Sequence, residues 1–215
     1  MSGGSGAIFL LSPANCNGRR GAQVLSPRSQ SEVAARLNSA EGIPIGDLFA
    51  YVSGLYFRGK ITYARRFARP SDPLNPVIGS GIHIITSNAG LRSPDTRVTR
   101  AAVAAFAGGD IDAANSSYRR PLERSATALA RESGDAPVVL LGSIASAKYV
   151  DVLLEIFGDR LLFPSDFVGR GDMSRGGLLL RHAAEGRELP YIAVAGASRH
   201  GVRPPKLDPS WRAPR

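Results

Sequence analysis

The chain has few of the residues that build disulfides and metal sites. Among its 215 residues Cys16 is the only cysteine, which excludes an internal disulfide and a cysteine-based metal cluster. The three histidines, His83, His182 and His200, lack the spacing of metal ligands. We therefore expect no metal and no cofactor, and we interpret His83, which lies inside an apolar run, as a core residue.

Long apolar runs are also absent. No run approaches the roughly 18 residues that a membrane-spanning helix needs. The opening residues, MSGGSGAIFLLSP, lack the basic lead and the long apolar core of a secretory signal. These absences predict a cytoplasmic protein with no membrane partner.

Standard catalytic patterns are missing as well. The chain has no Gly-x-Ser-x-Gly elbow, no Walker-type lysine loop and no metal-binding carboxylate pair. Ser143 follows a predicted strand, but no histidine is obviously placed to activate it. Cys16 would be reactive if arginines lowered its pKa, whereas a buried, inert thiol is the commoner state of a free cysteine. The sequence leaves open whether the protein is an enzyme.

Positive charge, in contrast, is in excess. Lysine and arginine number 27 against 18 aspartates and glutamates, which gives a formal net charge of +9. Most of the excess is arginine, which grips phosphate with two donors and stacks on bases. The balance favours nucleic acid as a partner. A basic surface that serves only solubility is the alternative.

Apolar runs and helical patterns alternate along the chain. This order predicts an α/β fold, with a mostly parallel sheet of about four to five strands and helices on both faces. We expect one domain over residues 1–197, with a flexible Gly/Ser lead over 1–6, and an extended, basic, proline-rich tail over 198–215 that either is mobile or follows a phosphate backbone. The strands are predicted at 7–11, 82–86, 137–141, 161–163 and 189–194, and the helices at 31–37, 46–69, 99–106, 119–132, 146–157 and 172–184.

The predicted helix over 46–69 is amphipathic and has a basic outer face, on which we place Arg58 and Lys60. Tyr56, Phe57 and Tyr63 lie between these charges. Aromatic rings among basic residues can stack on bases, but at this spacing they are more often part of the core.

The carboxyl ends of parallel strands share one edge of a sheet, where ligands bind. That edge would collect the loops 12–20, 87–91, 142–148 and 169–175 into a polar cleft for a nucleotide or a base. We predict that the cleft is lined by Ser12, Asn15, Cys16, Asn88, Gly90, Ser143, Lys148 and Asp172.

The loop 169–175 is rich in glycine and arginine and precedes a helix, a combination that suits phosphate. We expect phosphate contacts from Arg19, Arg20, Arg58, Lys60, Arg170, Gly171, Ser174 and Arg175. Asp172 or Ser174 is predicted to cap the helix, and capping is favoured over an acid–base role for Asp172.

Four short segments, in order, resemble the YaaA peroxide-stress protein family. They are IFLLSPAN at the first strand, GLYF over 54–57, IITSNAGLRSP over 84–94 and GRGDMSR over 169–175, the last being the most specific. Asn15 stands where the family has a lysine. The resemblance implies a fold related to uracil-DNA glycosylases, binding to DNA in preference to RNA, and a part in limiting peroxide damage to DNA. An enzyme that acts on a nucleobase or nucleotide in DNA or transfer RNA, by glycosidic cleavage or base modification, is the alternative function.

Overall fold

The computed structural model describes residues 6–145, 147–209 and 211. Three predicted features lie outside these residues: most of the Gly/Ser lead, the helix start predicted at residue 146, and the end of the basic tail. The described elements are, in chain order, β1 (Ile8–Leu11), α1 (Arg19–Leu25), α2 (Glu32–Asn38), β2 (Ile43–Pro44), α3 (Ile45–Ser53), α4 (Leu55–Phe67), β3 (Ile82–Ile85), β4 (Leu91–Arg92), β5 (Arg97–Val98), α5 (Arg100–Gly108), α6 (Ser116–Glu132), β6 (Val138–Leu141), α7 (Ala147–Phe157), β7 (Leu161–Pro164), α8 (Asp172–Glu185) and β8 (Tyr191–Ala193).

The main sheet has the strand order β4-β3-β1-β6-β7-β8. β1 lies at its centre and pairs in parallel with β3 and β6, and β7 continues the parallel part beyond β6. β1, β3 and β6 are buried along their whole length, as expected of strands covered on both faces. The α/β class and the mostly parallel sheet are therefore confirmed.

The two edge strands of the sheet run against this direction. β4 pairs antiparallel with β3, and β8 pairs antiparallel with β7. The five predicted strands are all present, and β4 raises the number in this sheet to six. β4 was not predicted because it has two residues, too few to show any periodicity. β2 and β5, which form a separate antiparallel pair, escaped prediction for the same reason.

Helices cover both faces of the sheet, as predicted. The crossover from β1 to β3 and the crossover from β6 to β7 run in opposite directions along the sheet, so right-handed connections place α4 and α7 on opposite faces. α8 packs on α4, and α6 packs on α7. The two helices α4 and α8 approach closely because Gly59 faces Gly176: a β-carbon built on Gly59 would lie 2.6 Å from the Gly176 carbonyl oxygen.

The prediction of one helix over 46–69 is wrong, because the chain breaks at Gly54. This residue ends α3 and begins α4 with φ 64° and ψ −130°, a conformation that only glycine adopts without strain. Two helices at an angle then replace one straight helix. After the break, Arg58 is exposed on α4 as predicted, whereas Lys60 is buried.

The tail forms neither a helix nor a strand over 198–209, but it lies against the domain. Arg199 forms an ion pair with Asp151, with 3.0 Å between nitrogen and oxygen. Farther along, a guanidinium nitrogen of Arg170 donates to the carbonyl of Pro205 at 3.3 Å, and Arg181 donates to the carbonyl of Asp208. The tail therefore follows α8 and places its own cations beside those of the loop 169–175.

No helix in the described part of the chain is long and apolar enough to cross a membrane.

Candidate functional site

A buried lysine lies beneath the carboxyl edge of the sheet. Ser12 is the first residue after β1, and Lys60 reaches it from α4. The Lys60 Nζ donates to the Ser12 carbonyl at 2.6 Å and to the Ser12 hydroxyl at 2.8 Å. Only 1% of Lys60 is exposed, and the rings of Tyr56 and Phe57 lie 4.5 and 4.8 Å from Nζ. The prediction that Lys60 lies on an outer basic face is therefore wrong, because α8 and the sheet enclose that side of α4.

Burial changes the protonation of this lysine. The pKa of Lys60 falls from 10.5 to about 7, chiefly because the amine is removed from water; the Asp172 carboxylate opposes this shift, and the Arg175 guanidinium adds to it. The Lys60 amine therefore gains or loses its proton near neutral pH. An exposed phosphate-binding lysine would stay protonated there. The Tyr56 hydroxyl beside it is buried and forms no hydrogen bond of good geometry among the described residues; burial raises the pKa of Tyr56, and the nearby Arg175 guanidinium opposes that rise.

Arg175 is also held inside the protein. Its Nε and one terminal nitrogen donate to the carbonyl of Phe167 at 3.2 and 3.0 Å, and the other terminal nitrogen lies 3.6 Å from the Asp172 carboxylate. With its donors committed in this way, Arg175 stabilises the turn before α8. A direct phosphate contact from it would require these bonds to rearrange.

The predicted cap of α8 is wrong. Gly171 occupies the N-cap position with extended backbone angles, and neither Asp172 nor Ser174 supplies a side-chain cap. Asp172 is instead the first helical residue, and its carboxylate faces Arg175. The Ser174 hydroxyl accepts a 3.3 Å hydrogen bond from Arg170.

Three of the four predicted strand-exit loops form a cleft of about 390 Å³. The first loop contributes residues 13–17, the second Ser87 and the third Lys148. Asn15, Cys16 and Lys148 therefore line it as predicted. The rings of Phe49 and Phe106, packed edge to face with centroids 6.1 Å apart, close one side. Cys16 is buried, as one of the two interpretations expected, and burial raises the pKa of Cys16 to about 11; the low reactivity of the thiol stays a prediction.

Other residues predicted for this cleft lie elsewhere. Gly90 turns toward α6, where the carbonyl of Pro121 fills the space that a side chain would take, and the prediction that Gly90 lines the cleft is wrong. Ser12 is buried against Lys60, and the Ser143 carbonyl accepts a 2.9 Å hydrogen bond from the Tyr149 hydroxyl. Asn88 is half-buried in the turn between β3 and β4 and is not among the residues that line the cleft.

A basic groove lies beside the cleft. Arg19 and Arg20 begin α1, Arg58 projects from α4, and all three are exposed. Together with residues 52–55 and Met173 they line a groove of about 590 Å³. Within the described residues none of the three arginines forms an ion pair with a carboxylate. Arg20 donates a 3.2 Å hydrogen bond to the Tyr51 carbonyl oxygen. The three predicted phosphate-binding arginines are thus brought together.

A second groove of about 300 Å³ runs between the start of α8 and the tail. Arg170, Gly171 and Ser174 line one side of it, and Arg203 and Lys206 from the tail line the other. Met173, which is 68% exposed, lines both grooves. We call the two grooves and Met173 the basic surface.

Neither Phe49 nor Phe106 was predicted to line the cleft. The two phenylalanines belong to helices that approach the cleft from outside the four loops. Met173 belongs to the GRGDMSR motif, the most specific part of the resemblance, but no ligand contact was predicted for it. His83 is buried in β3 as expected, and burial lowers its pKa to about 4, although its Nε2 lacks a hydrogen-bond partner in the described structure. The described residues contain no group of histidine, cysteine or acidic side chains that would hold a metal ion.

No protein-family model, no curated protein and no solved structure matches the chain. The similarity to the YaaA family therefore stays a prediction from short motifs. The arrangement itself offers two kinds of chemistry: exposed cations that can hold phosphates, and a separate cleft whose rings, amides and charges suit a small polar, planar ligand.

Proposed function

We propose that the protein binds nucleic acid, DNA in preference to RNA, through the basic surface. The observation that carries the proposal is the convergence of Arg19, Arg20 and Arg58 on one groove with no carboxylate paired to them in the described residues. Unpaired guanidinium groups that share a groove repel each other, and a phosphate backbone removes that repulsion while releasing its own counterions.

Two further observations support the proposal. The formal net charge of +9 favours the approach of a polyanion to the molecule as a whole. The ordered resemblance to the YaaA family includes the loop 169–175, which lines the second groove. By that resemblance we extend the proposal to a cytoplasmic role in limiting peroxide damage to DNA.

The test is a titration of single-stranded and duplex DNA, by fluorescence anisotropy, at several salt concentrations. We expect the wild-type affinity to fall steeply with salt. Replacing Arg19 and Arg58 with alanine removes two phosphate contacts, so the slope of log K against log salt on single-stranded DNA should become shallower by about 1.4.

The matched control replaces Arg120 and Arg124 of α6, two exposed arginines that line a separate groove. This variant has the same net charge as the first and should retain the wild-type slope. Failure of the wild type to bind either DNA at low salt would overturn the proposal. Equal losses in both variants would also overturn it, because binding would then follow total charge and no particular site.

A second candidate function is an enzyme that acts on a nucleobase or nucleotide in the 390 Å³ cleft. The observation that favours it is the pairing of aromatic rings with Asn15, Asp110 and Lys148 in one lining. Rings hold a planar base, amide and carboxylate groups match its edge, and a lysine suits a phosphate. Damaged DNA, transfer RNA and free nucleosides would be incubated with the protein and the products separated by mass. A released base or altered nucleoside that disappears with Lys148→Ala would support the activity, and an unchanged panel would exclude it for these substrates.

A further inference from the structure

Met173 lies where the two basic grooves meet. It is the second residue of α8 and is 68% exposed, so its thioether is accessible to a ligand. On one side of it are Arg19, Arg20 and Arg58, and on the other are Arg170 and the tail residues Arg203 and Lys206. The Met173 side chain therefore stands between two sets of cations.

The charges around Met173 are available for a ligand. In the part of the chain that the structure describes, no carboxylate forms an ion pair with any of these six cations. Arg170 is partly held, since it donates to the carbonyls of Asp166 and Pro205. These bonds fix the guanidinium at the boundary between α8 and the tail without neutralising it. A polyanion that crosses from one groove to the other would meet cations before and after the methionine.

A nucleic-acid strand has a matching pattern of groups. Its phosphates are charged and repeat at intervals, and between them it carries flat, apolar base faces. Proteins that bind nucleic acid use exposed apolar side chains, methionine among them, as wedges between neighbouring bases. Single strands bind in this way at low cost, because their bases are already free to unstack.

We infer that Met173 is a base-contacting wedge: a single strand of nucleic acid crosses the basic surface with phosphates in both grooves and a base step opened over the Met173 thioether. The inference rests on the proposed function and adds to it the strand form of the ligand and the residue that touches its bases. It also assigns Arg203 and Lys206 of the tail to the same path as the arginines of α1 and α4.

The test uses a short single-stranded DNA that carries 2-aminopurine in an adenine run, because the fluorescence of this base rises when it unstacks. Wild-type protein should raise the fluorescence on binding. Met173→Ala should abolish most of that rise and weaken binding about fivefold, the lower end of the effect of a stacking side chain, while leaving the salt slope unchanged because no phosphate contact is lost. Met173→Leu keeps an apolar wedge and should restore the signal.

Leu74→Ala is the matched control, because Leu74 is also a large exposed apolar residue, 91% exposed, and does not line the basic surface. It should behave like the wild type. If Arg19→Ala/Arg58→Ala weakens binding but Met173→Ala retains both the affinity and the fluorescence rise, the wedge is refuted and the proposed function stands. If the arginine variant binds as the wild type does, the proposed function fails and the wedge fails with it.

Discussion

The buried lysine predicts a distinctive dependence of stability on pH. The folded-state pKa of Lys60 is about 7, whereas an exposed lysine has 10.5. Between these values the unfolded chain holds the proton and the folded chain releases it, so the free energy of unfolding rises with pH. Integrated from pH 7 to pH 9, one such group raises that free energy by about 2 kcal/mol. Below pH 7 the lysine is charged in both states, and its contribution no longer changes.

Lys60→Met isolates this effect, because methionine keeps the length and the apolar contacts of the side chain but does not titrate. We would measure urea unfolding by circular dichroism at pH 7, 8 and 9 for both proteins and compare their changes with pH. Cys16, whose pKa is raised to about 11 in the folded protein, makes stability fall toward pH 9 in both proteins and cancels in the comparison. The wild type should gain about 2 kcal/mol relative to the variant across this range. Parallel pH profiles would refute the reasoning, since they would mean that Lys60 remains charged in the folded protein.

Two further predictions concern packing and reactivity. Gly59→Ala should lower the free energy of unfolding, measured in urea, by about 2 kcal/mol, because the new β-carbon would lie 2.6 Å from the Gly176 carbonyl oxygen. The control is Gly108→Ala in α5, where the space is open; it should be neutral or stabilising by up to about 1 kcal/mol. Equal effects of the two substitutions would contradict the close approach of α4 and α8. Cys16 should react slowly with a thiol reagent at pH 8 and rapidly after unfolding in urea, because the thiol is buried and its pKa is about 11; fast reaction of the folded protein would contradict this.

The sheet could be predicted because its strands are fully buried. β1, β3 and β6 are short apolar runs bounded by polar or breaking residues, and a strand that is covered on both faces shows that pattern in sequence. Gly54 could not be recognised as a helix break, because a glycine inside a helical pattern is also compatible with a continuous helix. Its positive φ is seen only in the folded chain, where α3 and α4 pack on each other.

The sequence predicted correctly those arginines of the candidate site that are exposed. It failed for residues whose side chains are buried by tertiary packing. Arg19, Arg20 and Arg58 are exposed arginines that the fold gathers into one groove. Arg175 belongs to the same basic pattern, yet the turn before α8 draws its guanidinium onto the Phe167 carbonyl. Local sequence contains nothing that separates Arg175 from Arg170, because the difference depends on which way each side chain leaves the turn.

The packing of α4 on α8 affects both the stability of the fold and the shape of the proposed binding surface. Arg58 and Lys60 lie on either side of Gly59, so the close contact of Gly59 with Gly176 fixes both the exposed arginine and the buried lysine. α8 in turn carries Met173, three residues before Gly176. A β-carbon at Gly59 would push the two helices apart and widen the groove between Arg58 and Met173. We therefore expect Gly59→Ala, which alters no residue of the basic surface, to weaken DNA binding at temperatures where it is still folded, whereas Gly108→Ala should not.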